Sequence, residues 1–205
     1  MKRSFASIVA GLAVSALLAS TVVANLAAKP AAAIGSPAPT WTLQDQDGKS
    51  HNLADFAGKI VVLEWFNNEC PFVVKHYKEG HMNALAKKYG EKGVVWLAVN
   101  TTSGKTNADN KSIAGEWKID RPILNDASGT VGTAYGARTT PHMYIVNKDG
   151  TLVYAGAIDS NTSADTSAVS GATNFVAAAL DELLGGKPVS KSETKPYGCS
   201  VKYAK

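Results

Sequence analysis

Four short stretches of the chain are almost wholly apolar: Ile60–Trp65, Val94–Val99, His142–Val146 and Leu152–Gly156. Runs of this length bounded by turn residues read as strands, the most apolar of them covered on both faces. Around them the pattern changes to a helical one. From Pro71 onward, Val73, Val74, Tyr77, Met82, Leu85 and Tyr89 fall at helical spacing, with Gly80 as an interruption that predicts a kink. Asn110–Trp117 and Asp126–Tyr135 predict two shorter helices, separated by the breaker Asp120-Arg121-Pro122 and a brief strand at Ile123-Leu124. Asn174–Leu184 predicts an amphipathic last helix, closed by Gly185-Gly186. Nearer the start, Trp41–Leu43 reads as a short strand, Asp45–Lys49 as an Asp-Gly turn, and Asn52–Lys59 as a helix-like turn ending at Gly58. Asn147–Gly150 is a hairpin turn. Thr101–Asn110 and Ile158–Ala172 are polar loops, and the length of the second points to function or disorder.

Strands that alternate with helices and then end in a hairpin and a helix predict an α/β domain, a mixed central sheet flanked by helices. The chain divides into three parts: a signal peptide at 1–33, a domain at 34–186, and a polar tail at 187–205 that carries Cys199. Lys2-Arg3 followed by the apolar, small-residue run Phe5–Ala24 has the form of an export signal. Ala31-Ala32-Ala33 offers a cleavage pattern, with Val22–Ala24 and Leu26–Ala28 as earlier ones. The competing reading is an uncleaved anchor, but Ala, Ser and Gly lower the hydrophobicity of the run. The expectation is an exported protein, periplasmic or extracellular, with no membrane attachment after cleavage.

Charge narrows the partners. The net charge over 205 residues is +4, and Lys and Arg are scattered rather than gathered into the stripe that nucleic acid needs. Cys70 and Cys199 are the chain's two cysteines. Export would place them where disulfides persist, and an even count favours pairing.

The candidate chemistry is at Cys70. It stands where the strand Ile60–Trp65 has ended and a helix starts, with Pro71 in the first turn, where its missing N–H has no partner to lose. The free N–H groups and dipole of a helix start favour thiolate, the reactive form. Glu69 beside it acts in the opposite direction.

Several segments resemble the thioredoxin-like superfamily in its redoxin branch, the alkyl hydroperoxide reductase and thiol-specific antioxidant group. They are Gly35–Pro39 with Leu43, Asp47-Gly48 and Phe56–Lys59; Val61–Phe66 leading to Cys70-Pro71; Thr140-Pro141 before a strand; and Asp149–Tyr154 with Gly156 and Asp159. Tyr197-Gly198-Cys199-Ser200 resembles the C-terminal segment of peroxiredoxin-like members. The resemblance implies a thioredoxin-like fold and a thiol oxidoreductase. Cys70 would attack a peroxide or a protein disulfide, and Cys199 would resolve the product through a Cys70–Cys199 disulfide. A separate thiol protein would return the electrons, and no organic cofactor or metal would be required. It also implies that Pro141 is a cis-proline holding Thr140 against the sulfur, with backbone groups open to an incoming peptide. Two departures stand out. Asn67 occupies the first position of a C-x-x-C motif and also the place of the peroxiredoxin threonine. Pro141 takes the place of a later arginine, with Arg138 nearby.

Each candidate has a plainer reading. Cys70–Cys199 could be a permanent staple in a non-enzymatic binding module. Asn67 and Asn68 suit turns and helix caps as well as thiolate binding. Glu64 is either a proton relay near the site or an exposed edge carboxylate. Trp65 and Phe66 serve a docking surface or the core, the core being expected for at least one. His51, His76, His81 and His142 raise copper handling, but His76 and His81 lack a helical ligand spacing. Surface histidines are the expectation, with His142 the one to inspect.

Overall fold

The computed structural model describes residues 32–204. The expected signal segment therefore lies outside the described residues, save for its last positions. In chain order the elements are β1 (Thr42–Gln44), β2 (Ser50–Asn52), β3 (Val61–Trp65), α1 (Pro71–Lys78), α2 (His81–Gly90), β4 (Val95–Asn100), α3 (Asn107–Glu116), β5 (Ile123–Asn125), α4 (Thr130–Tyr135), β6 (Thr139–Thr140), β7 (His142–Val146), β8 (Leu152–Gly156), α5 (Phe175–Leu184) and β9 (Cys199–Ser200). Among the described residues no helix is long and apolar enough to cross a membrane.

Seven strands form one mixed sheet in the order β2-β1-β5-β4-β3-β7-β8. β3 pairs parallel with β4 and antiparallel with β7, so it lies in the middle. All five of its residues are buried, which explains its unbroken apolar pattern apart from Glu64. Its alternate side chains feed two cores. Ile60, Val62 and Phe66 face a layer with Val73, Tyr77, Met82, Tyr89, Ile113 and Leu180, from α1, α2, α3 and α5. Val61, Leu63 and Trp65 face the opposite layer, with Val131 and Tyr135 of α4 and the lead-in residues Ala38 and Trp41. Trp65 and Phe66 are both fully buried, one in each layer.

Three expectations change. The long helix from Pro71 is two helices, because Gly80 adopts φ +72° and starts α2. The helix expected at Asn110 starts at Asn107, where Thr106 and Asp109 form a reciprocal cap. The helix expected from Asp126 starts at Thr130. Asp126 instead accepts hydrogen bonds from the backbone N–H groups of Val131 (3.1 Å) and Gly132 (2.8 Å).

The polar tail is the largest difference. Ser192 and Thr194 bond to the backbone of Ala155 on β8, extending along that edge. Farther on, β9 pairs with β6, Val201 N–H donates to Arg138 O (3.1 Å), and Tyr203 OH donates to Ala137 O (2.7 Å). The tail is a belt across one end of the domain, secured on both sides of Cys199. Its backbone hydrogen bonds, which sequence does not display, add to the few apolar contacts made by Val189, Tyr197, Cys199 and Val201.

Candidate functional site

Cys70 is the N-cap of α1, with extended backbone (φ −89°, ψ 118°), and Pro71 opens the helix. The strand-to-helix junction thus places the sulfur at the helix start. Cys70 is only 1% exposed, and its thiol donates to Thr140 O at 2.9 Å. The Thr140–Pro141 peptide is cis. On the far side of Thr140 runs the belt, with Cys199 directly opposite it in the β6–β9 register. Gly198 is what permits this approach: a Cβ there would stand 2.1 Å from Thr140 O, and its φ of +127° is strained for any other residue. Both cysteines are free thiols in this structure.

Their ionisation is unequal. Burial pushes the Cys70 thiol up, but hydrogen bonding from the Cys199 thiol, the Thr140 side chain, and the Cys199 and Val73 backbone outweighs it, leaving Cys70 below its ordinary value. The Thr140 hydroxyl is buried and has no hydrogen-bond partner while Cys70 is a thiol, so it is available to donate to the thiolate. Burial and the neighbouring Cys70 sulfur push Cys199 up to about 11. Cys70 is therefore the more acidic thiol of the pair and Cys199 the one that holds its proton longer. Glu69 does not oppose this, since it points away to Lys105 (2.9 Å).

The belt is anchored just before Cys199 by a buried polar cluster that sequence reasoning missed. Tyr197 OH donates to Asp159 Oδ1 (2.5 Å), with His76 Nε2 3.2 Å from the same hydroxyl. The Tyr197 ring packs edge-on against Phe72 of α1 and lies 4.7 Å from the Lys75 ammonium. Lys75 is fully buried and donates to Asn161 O (2.6 Å) and Ser163 O (2.7 Å), drawing the long polar loop onto α1. Gly156 and Asp159, in the segment after the hairpin, were the available signal. Gly156 lets the belt approach, because a Cβ there would lie 2.1 Å from Thr194 Oγ1.

The remaining candidates separate. Asn67 shapes the turn before Cys70: its Oδ1 accepts from Glu69 N–H (2.9 Å) and its carbonyl from Cys70 N–H (3.1 Å). Asn68 Oδ1 is buried without a partner. Glu64 is fully buried, not an edge carboxylate. It accepts from Tyr77 OH (2.8 Å) and Trp96 Nε1 (3.0 Å) and pairs with Arg121 (3.4 Å). These partners belong to the core beneath α1, and none is Cys70. The histidines are also not a surface set: His51, His76 and His142 are buried, and His51 pairs with Asp45 at 2.7 Å. His142 Nδ1 faces Tyr144 OH (3.1 Å) and Arg138 N–H (3.3 Å). Among the described residues no group of three or more His, Cys, Asp or Glu is placed to hold a metal.

Burial holds His76 neutral down to about 4 and His142 down to about 3. The unfolded chain protonates both near 6.5, so it binds more protons throughout the interval between. Stability therefore falls as pH drops below about 6.5, by up to ~1.4 kcal/mol per pH unit for each ring. Urea midpoints between pH 7.5 and 4.5 measure this slope. A flat profile would mean that neither ring is kept from water.

A family model described as the AhpC/TSA family matches residues 34–155. A thiol-disulfide oxidoreductase ResA of Geobacillus thermodenitrificans (strain NG80-2) is 34% identical over 136 residues, 66% of this chain and 76% of that protein. Among solved structures, an uncharacterized conserved protein from Geobacillus kaustophilus superposes with a TM-score of 0.72 at 31% identity, covering 84% of this chain and 93% of that one. A hypothetical protein from Sinorhizobium meliloti 1021 gives 0.73 at 25% identity, covering 85% and 97%. The fold is thioredoxin-like. The family match stops before the belt and so does not include Cys199.

Proposed function

The chain belongs to the AhpC/TSA family, and from that membership we propose that it is an exported thiol-dependent oxidoreductase whose working pair is Cys70 and Cys199. One observation carries the reading: the belt sets Cys199 opposite the residue whose carbonyl receives the Cys70 thiol. Two cysteines 129 positions apart in sequence meet where one is disposed to ionise and the other to keep its proton.

Cys70 thiolate attacks an electrophilic oxygen or sulfur. With a hydroperoxide, the O–O bond breaks, an alcohol or water leaves after protonation, and Cys70 becomes a sulfenic acid. Cys199 then attacks that sulfur, water leaves, and the Cys70–Cys199 disulfide closes. With a disulfide, Cys70 forms a mixed disulfide and Cys199 displaces the second substrate thiol. Either cycle needs a thiol protein to restore the dithiol form, and neither needs an organic cofactor or metal. In this reading residues 1–33 are removed on export to the periplasm or the exterior, and 34–186 form the catalytic body. Residues 187–205 supply the resolving thiol. The named activity of the Geobacillus thermodenitrificans relative supports thiol–disulfide chemistry for the group.

The second reading, a permanent staple, draws on the burial of Cys70. Against it, the belt already has backbone and side-chain anchors on both sides of Cys199. The reduction potential separates the two. Equilibration against glutathione buffers, followed by thiol trapping, is expected to place the pair above about −300 mV, within reach of thiol donors. A potential well below that value would make the bond structural and end the enzymatic reading.

A further inference from the structure

We propose that Tyr197 is a positioning residue for the resolving thiol: its seat on α1, the helix that begins at Cys70, fixes where Cys199 stands and so sets how readily the Cys70–Cys199 disulfide closes. This rests on the reading that the pair cycles.

The seat is built on the helix that carries the nucleophile. Phe72, Lys75 and His76 lie within the first two turns of α1, and all three meet Tyr197. Phe72 packs edge-on with its ring centre 6.0 Å away, the Lys75 ammonium lies 4.7 Å from the tyrosine ring, and His76 Nε2 stands 3.2 Å from the hydroxyl. The hydroxyl gives its one proton to Asp159 Oδ1 (2.5 Å), so toward His76 it acts as acceptor from Nε2–H. Asp159 is itself held: it accepts from Asn161 N–H (3.0 Å) and bridges to Asn174, the N-cap of α5. Lys75 holds the loop that follows through the carbonyls of Asn161 and Ser163, and the Asp159 charge is felt at its ammonium. Lys75, His76 and Asp159 are each no more than 2% exposed. Burying three ionisable groups is costly unless they satisfy one another, and what these three have in common is contact with one ring or its hydroxyl.

Gly198 alone separates that ring from Cys199 in the chain. The β6–β9 pairing is two residues long, and it refers Cys199 to Thr140 rather than to α1. Beyond Cys199, Tyr203 OH donates to Ala137 O, which lies just before β6 and is likewise not part of α1. Tyr197 therefore ties Cys199 to the element that starts at Cys70, while the other anchors tie it to the strand beside. A thiol held next to its target has a high effective concentration there, so ring closure is both faster and more favourable than for a loose tail.

The test compares the full chain with Tyr197→Phe, which keeps the ring but removes the hydroxyl, and with Tyr203→Phe, which removes the other tyrosine hydroxyl of the belt. Glutathione buffers and thiol trapping read the stability of the internal disulfide. Tyr197→Phe is expected to lower the effective concentration of Cys199 about tenfold, which raises the potential by about 30 mV for this two-electron couple. Tyr203→Phe should move it much less. With hydrogen peroxide as oxidant, Tyr197→Phe should lose the Cys70 thiol at the wild-type rate and close the disulfide more slowly, whereas general damage to the fold would alter both steps. Lys75→Met, which releases the loop from α1, is the second variant and should raise the potential in the same sense. Unchanged potential and closure rate in a folded Tyr197→Phe protein would overturn the proposal and leave the cycling pair intact. An equal shift in Tyr203→Phe would overturn it too, since any anchor of the belt would then suffice. Should Tyr197→Phe fail to fold, an unchanged potential in Lys75→Met decides against it. A wild type that never shows the two-hydrogen mass loss of an internal disulfide would overturn both this proposal and the cycling pair.

Discussion

Arg121→Met is expected to destabilise the domain by about 3–5 kcal/mol, the usual cost of removing one partner of a buried ion pair. Glu64 is fully enclosed in the centre of β3, and Arg121 is the charge that compensates it. The guanidinium also donates to Tyr77 OH (2.7 Å) and Asn83 Oδ1 (2.9 Å), so methionine would fill the space but leave three acceptors short of a donor. Burial and the carboxylate together push the Tyr77 hydroxyl well above its ordinary range, so it stays protonated and keeps donating to Glu64. Glu64→Gln in the Arg121→Met background should recover part of the loss, because the uncompensated charge disappears while the amide oxygen still accepts from Trp96 Nε1 and the amide N–H group can donate to the Tyr77 oxygen. Urea unfolding of the three proteins measures it. A loss below about 1 kcal/mol would show that solvent reaches Glu64, as it does for exposed pairs.

Such a network was not readable from the chain, and the reason is general. A lone Glu in an apolar strand says that something unusual is needed there, but its partners Tyr77, Trp96 and Arg121 come from three other segments. Periodicity reports what one element shows its own neighbours, and it located β3, β4, β7, β8 and α5 for that reason. Gly80 was visible as an interruption, though only the backbone shows a break where a kink was expected. The Thr106-Asn107-Ala108-Asp109 cap was also present in the letters, and it would have moved the start of α3 to the correct place. The belt had no such signal. It is polar, has no helical or alternating pattern, and is held by backbone bonds and by two rings, Tyr197 and Tyr203. A reading from sequence alone makes it a flexible arm that swings Cys199 across. In the structure Cys199 is already beside Cys70, and Gly156 and Gly198 mark two places where the backbone of the belt is too near for a side chain.

That proximity fixes the second large effect. Cys70→Ser is expected to lower turnover with either a peroxide or a disulfide by on the order of 10³-fold or more, since the remaining thiol, Cys199, keeps its proton up to about 11 and would have no resolving partner. Cys199→Ala should behave differently. It keeps the nucleophile, so one equivalent of oxidant is consumed, after which the sulfenic acid has no internal partner and the steady state collapses. The same substitution has a readout that a merely inactive protein would not give. In the wild type, thiolate absorbance should rise in two steps, the first below the ordinary value of 9.0 for Cys70 and the second near 11 for Cys199. Cys199→Ala removes the upper step and also takes away the side-chain donor that favours the Cys70 anion, so the remaining step must move to higher pH. A remaining step that stays in place, or moves to lower pH, would show that the Cys199 thiol does not support the Cys70 charge. The helix start and the Thr140 side chain would then have to hold the thiolate unaided.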